Sequence, residues 1–192
     1  MQKCFLKSLG FVCLLFSLNA YAITMDVPNS CNDTTVNTCI NCQQEDIKFD
    51  KIEIDLAQKK QGAAVHSMMR VYKRCAKRNG KARKAKRFRK ENRSTVNSLV
   101  ISAWMTLWNH IPNITNVCAN SCTNVSYFND LLFIELNAAQ VNTIAFDLVQ
   151  EVTQHCLAVP NKITNLLNRQ SGLFTFVVDE LEEIPTYKSV CS

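Results

Sequence analysis

Residues 127–158 read YFNDLLFIELNAAQVNTIAFDLVQEVTQHCLA, and their apolar spacing sets the fold class. Ile134, Ala138, Val141, Ala145, Leu148, Val152 and Cys156 recur at steps of four and three. That places them on one face of a 3.6-residue helix. Asn137, Gln140, Asp147, Gln150 and Glu151 fall on the opposite face. Pro160 closes this helix and Asn161 is read as the cap of the next. There Ile163, Leu166 and Leu167, and after Gly172 also Phe174, Val177, Val178, Leu181 and Ile184, hold helical spacing up to Pro185.

Upstream, Val96, Leu99, Val100, Ala103, Trp104, Leu107, Trp108 and Ile111 predict a helix over 94–111, with Ser94 as N-cap and Pro112 just beyond. Ala64, Met68, Val71, Tyr72 and Cys75 predict another in the second half of 45–79. The whole reads as an all-α, disulfide-linked, four-helix bundle-like domain. The alternative is an α+β fold with short strands at 47–56 and 173–178. The first stretch alternates apolar and polar residues, and the second is rich in β-branched and aromatic ones. Four glycines and four prolines in 192 residues favour long helices over a turn-rich β fold. One mismatch stands out. A helix over 94–111 is about 27 Å long and one over 127–158 about 48 Å, so the longer is expected to overhang, or to break near Asn137.

Residues 1–22 have the form of a secretory signal: Lys3 and Lys7, the apolar run Ser8–Leu18, then Ala20-Tyr21-Ala22 as the cleavage site. The run is too short for a bilayer, which needs about 20 residues. The rest divides into a Cys-rich irregular arm at 23–44 and a helical domain at 45–192. The protein is expected outside the cell, with no membrane insertion once the signal is removed. Eight cysteines then remain: Cys31, Cys39, Cys42, Cys75, Cys118, Cys122, Cys156 and Cys191. An even number in an oxidising compartment points to disulfides rather than to a metal. An up-down-up-down bundle brings the ends of the first and third helices to one pole. Bridging needs Cα atoms within about 7 Å. The topology therefore predicts Cys75–Cys156, with the other six paired among themselves. Asn32, Asn92, Asn113 and Asn124 begin N-glycosylation sequons, all read as lying in loops.

Charge is unevenly spread. Residues 73–93 hold twelve Lys and Arg against one acid, Glu91, whereas the remainder after residue 22 has 8 basic and 15 acidic residues. Like charges at this density repel, so 77–93 is read as a basic loop between two helices. Lys77, Arg78, Lys81, Arg83, Lys84, Lys86, Arg87, Arg89 and Lys90 are its polyanion-binding candidates, with a sulfated glycosaminoglycan as the expected ligand. Phe88 is the single aromatic in the run, so base stacking with nucleic acid has little support. Lys84-Ala85-Lys86-Arg87 also offers a dibasic cleavage site after Arg87.

No GxSxG, HExxH, phosphate-binding Gly loop or dinucleotide fingerprint occurs. His66, His110 and His155 are the only histidines. No catalytic residues, cofactor or metal are assigned, and an enzyme is not expected. Secretion, cross-links, sequons, amphipathic helices and a basic segment together suggest a cytokine-like or immunomodulatory ligand of a cell-surface or soluble receptor. The alternative is a carrier of a lipid or other apolar ligand, with Trp104, Trp108, Phe128, Phe133, Phe146, Phe174 and Phe176 lining its cavity.

Overall fold

The computed structural model describes residues 42–118 and 123–190. The segment 1–22 read as a signal, all of the arm but residues 42–44, Cys31, Cys39, Cys122, Cys191 and Asn32 lie outside the described residues.

The domain is all-α and four-helix bundle-like. The helices are α1 (Lys48–Arg78), α2 (Ala82–Asn109), α3 (Phe128–His155) and α4 (Asn161–Glu183). Each neighbours the next, α4 closes the ring against α1, and α1 also crosses to α3. All four strands gather at one pole. β1 (Cys42–Asp46) pairs antiparallel with β2 (Ile114–Cys118), and β3 (Thr123–Ser126) pairs antiparallel with β4 (Tyr187–Val190). Each strand precedes or follows a helix, so the ribbons tie together four helix ends at that pole.

Two strand readings are corrected. Residues 48–56 belong to α1, with Ile47 just before its first turn. The alternation arises because Ile47 and Ile54 are buried while Phe49, Ile52 and Leu56 face solvent. A helix with apolar residues on two faces imitates period two. Residues 173–178 lie within α4, where Val177 is buried and Phe176 exposed, and α4 passes through Gly172 without a break. Pro160, extended at φ −63°, is the residue before the helix, and Asn161 is its first residue.

The length mismatch is also resolved. α2 starts at Ala82, not at Ser94, so α2 and α3 each have 28 residues. They span about 42 Å at 1.5 Å per residue. The overlooked signal is a thin apolar stripe: Ala85, Phe88, Val96, Leu99, Ala103 and Leu107 keep one face toward the core. Only three residues, 79–81, separate α1 from α2. Gly80 turns the chain there at φ +70°, a conformation that costs other residues roughly 1–2 kcal/mol. Gly62 lets the same two helices close on each other, since a Cβ there would stand 3.2 Å from Val100 Cγ2.

The core has two apolar clusters. One, at the strand pole, includes Ile54, Leu107, Ile134 and Val177. The other includes Val65, Met68, Val96, Leu148 and Ile163. Gln58, Gln61 and Gln170, all buried, fall between them in sequence. By length and composition α3 alone among the described helices qualifies to cross a membrane. Its Leu131, Ile134, Val141, Leu148 and Val152 are nevertheless packed inside the bundle.

Candidate polyanion interface

The basic segment is helix, not loop. Lys77 and Arg78 form the last turn of α1, Lys81 ends the turn, and Arg83, Lys84, Lys86, Arg87, Arg89, Lys90 and Arg93 occupy the first half of α2. The reading of 77–93 as a loop counted charge repulsion alone. Ala85 is fully buried and Phe88 packs on the second cluster. Anchoring by these two apolar residues offsets repulsion between cations that remain solvated.

The helix fixes which cations act together. Arg83, Lys86, Lys90 and Arg93 follow one another at steps of three, four and three, so they share one flank. Of these, Arg93, together with Arg89, also borders α1. There a cleft of about 320 Å³ is lined by His66, Ser67, Arg70, Arg89 and Arg93 with Ala63 and Met69. A second, of about 470 Å³, continues it along Lys86, Arg89, Lys90, Arg93, Ser94 and Asn97. Arg89 and Arg93 line both. Lys84 and Arg87 turn the other way and edge a 270 Å³ cleft with Phe88, Glu91 and Glu151. The nine sequence-predicted cations are thus divided. Arg70 and His66 of α1 and Arg93 of α2 were not among them, although they join Arg89 in the first cleft. No local sequence signal marks Arg70, because only the α1–α2 hairpin brings it opposite Arg89.

Side-chain partners leave this flank free to bind anions. Among the described residues Arg87 is the one cation of residues 73–93 paired with a carboxylate, Glu91 Oε1 at 2.7 Å. That hydrogen bond and charge hold the guanidinium pKa above its ordinary value. Arg70 Nη2 donates to Ser67 Oγ at 2.8 Å, and His66 Nε2 donates to Asn97 Oδ1 at 2.8 Å. The first turn of α2 contains no acid. Cations at a helix N-terminus oppose the helix dipole, by about 0.3–1 kcal/mol each. The positive potential is therefore reinforced at this end rather than neutralised.

Behind the face the pole is braced. Cys75 and Cys156 are disulfide-bonded with Cα atoms 5.6 Å apart, the pair expected from the up–down topology. Tyr72 Oη donates to Glu151 Oε2 at 2.8 Å, and His155 Nδ1 lies 2.8 Å from the same hydroxyl. Burial, then the hydrogen bond to Glu151 and its charge, push the Tyr72 pKa far up. Asn79 Nδ2 donates to the His155 carbonyl at 3.2 Å.

Other sequence-selected residues fall as follows. Arg87 lies in the second turn of α2, so a protease that needs extended backbone must first unfold that turn. Asn92 is inside α2 with its Nδ2 bonded to the Phe88 carbonyl, Asn113 lies in the link before β2, and Asn124 is in β3. Asn92 and Asn124 therefore do not sit in loops. His110 Nδ1 meets Asp130 Oδ1 at 2.8 Å, so the three histidines are held by separate partners. Among the described residues no three His, Cys, Asp or Glu side chains gather as a metal group. Trp104, Phe128, Phe133, Phe146 and Phe176 are exposed, while Trp108 and Phe174 pack on the first cluster. Five of the seven aromatics named for a carrier cavity therefore face outward.

Comparison with models of known families, with curated proteins and with solved structures gave no match.

Proposed function

We propose that this protein is a secreted, cytokine-like helical ligand that is concentrated on sulfated glycosaminoglycan by the α1–α2 flank before it meets its receptor. The observation that carries the polyanion step is the alignment of Lys86, Arg89, Lys90 and Arg93 on one rigid flank of α2, opposite Arg70 and His66. A helix holds these cations at fixed spacing, so a sulfated chain meets them without first ordering a loop. Arg89 and Arg93 offer planar forks to sulfate oxygens, and the lysines add point charge. The helical ligand reading rests on architecture together with the signal-like N-terminus, which is an associational basis.

The test is elution from immobilised heparin. Lys86→Gln/Lys90→Gln/Arg93→Gln is expected to elute at clearly lower salt than the unaltered chain. Lys48→Gln/Lys59→Gln/Lys188→Gln, which removes equal charge elsewhere, is expected to shift little. Equal shifts in both would mean that net charge, not this flank, governs binding. For the ligand step, saturable binding should persist on cells stripped of heparan sulfate, with a crosslinkable protein partner. Complete loss of binding on such cells would overturn it.

A further inference from the structure

The outer face formed by α1 and α4, on the side of the bundle away from α2, carries a second ordered charge pattern. α1 presents Phe49, Glu53, Leu56 and Lys60 along one ridge, at steps of four, three and four. α4 presents Lys162, Arg169, Gly172, Phe176, Glu180 and Glu183 along the facing ridge. The helices run antiparallel, and Glu180 feels the charges of Glu53 and Asp50 across the gap. The two ridges therefore have the same polarity in space. Acids gather at the strand pole, and Lys162, Arg169 and the C-terminal arginines of α1 lie toward the turn pole.

Between these ends Leu56 and Phe176 are exposed, at 47% and 37%, beside Lys60, and Phe49, 66% exposed, caps the acidic end. Nothing stands within 4 Å of where a Cβ on Gly172 would be. The centre can thus be approached closely. Glu53, Glu180 and Glu183 have no cation partner among the described residues.

We infer that the α1–α4 face is a homodimer interface in which a second copy of this chain docks antiparallel about a two-fold axis. A face that is acidic at one end and basic at the other is complementary to itself after a two-fold rotation. The rotation sets Glu53 and Glu180 against the basic end of the partner, and does so twice. Two adjacent helices about 34 Å long and some 20 Å wide offer roughly 700 Å² per copy, close to the ~800 Å² of a standard interface. α2 neighbours α1 and α3 but not α4, so both basic flanks stay outward, and the dimer presents two of them to one sulfated chain.

The test is sedimentation velocity on the disulfide-bonded full chain over a concentration series. A dimer that weakens as salt rises is expected. Glu53→Lys/Glu180→Lys and, separately, Lys162→Glu/Arg169→Glu should each weaken dimerisation about tenfold or more. Mixed in equal amounts the two variants should form a heterodimer, because each altered end then faces an opposite charge. Both sets leave α2 untouched, so heparin elution of the monomers reports the α2 flank separately. A monomer at every concentration, as when residues outside the described segments cover the face, overturns the inference. So does a dimer indifferent to both variants, or one not restored by mixing.

Discussion

Cys42 and Cys118 stand opposite each other in the antiparallel register of β1 and β2. Ile47 N donates to the Asn113 carbonyl at 2.9 Å, which makes 47/113 a hydrogen-bonded pair. Pair types alternate along an antiparallel ladder, so five residues on 42/118 is a non-hydrogen-bonded pair, with Cα atoms about 4.5 Å apart. That lies within the disulfide range of about 4.4–6.8 Å. Non-reducing peptide mapping is expected to show Cys42–Cys118 beside Cys75–Cys156. Cys122 and Cys191 lie outside the described residues. In sequence they adjoin Thr123 and Val190, the last pair of β3 and β4, so the map is expected to join them and to leave Cys31 with Cys39. A peptide joining Cys75 to any cysteine but Cys156 would break the scheme.

Tyr72 is 1% exposed and its hydroxyl meets both Glu151 and His155. Tyr72→Phe keeps the packing against Phe88, an edge-on contact with ring centres 6.1 Å apart. It leaves two half-buried polar groups without their shared partner. The expected loss is about 1–3 kcal/mol, read as a lower urea midpoint at unchanged slope. Wild-type stability in Tyr72→Phe would show that Glu151 and His155 satisfy each other, since they are already 3.3 Å apart.

How far the sequence could be read depended on whether a residue's neighbours were local. The stripe Ile134–Val152 showed α3 because one helix face supplies the whole signal. The Cys75–Cys156 bridge followed from counting helix directions alone. The start of α2 did not show. Twelve cations mask a stripe that survives on Ala85 and Phe88, and repulsion looked decisive although the charges point outward. The four strands were invisible for another reason. Gln43 and Gln44 of β1 carry no strand signal, the β-branched Ile114, Thr115 and Val117 of β2 fill too short a run to stand out, and the two pair because the helix ends bring them together. At the candidate site the α2 cations were legible in composition. Their division between two flanks, and the entry of Arg70 and His66, needed the hairpin.

The strand pole should strengthen on acidification. Burial, then the charge of Glu182, raise the Glu135 pKa above the ordinary carboxyl value. Burial, then Glu53, Glu183, Asp50 and Asp179, raise that of Glu180. With folded pKa values above the unfolded ones, the native state binds more protons across that window. The stabilisation is thus fully present below about 4.5 and is lost as pH rises through the raised values. Glu135→Gln/Glu180→Gln should flatten this part of a stability–pH curve and raise Tm at neutral pH. An unchanged slope in the variant would show that other groups set it.

Gln170 is fully buried, and among the described residues neither atom of its side-chain amide has a hydrogen-bond partner. It lies seven residues from Ile163 in one apolar cluster and seven from Val177 in the other. Gln58, with both amide atoms unpartnered, occupies the matching interval of α1 between Ala57 and Val65. Burying an unsatisfied amide costs about 1–3 kcal/mol. Leucine has a similar volume and joins the two clusters without a polar atom. Gln170→Leu is therefore expected to stabilise the fold by about 1–2 kcal/mol, seen as a higher denaturant midpoint. A polar layer can also fix helix register at the expense of stability. In that case Gln170→Leu raises the midpoint yet broadens the amide resonances of α4. A variant less stable than the wild type would mean that Gln170 is satisfied in solution, and the middle of the bundle would then be a hydrogen-bonded layer instead of a gap between two cores.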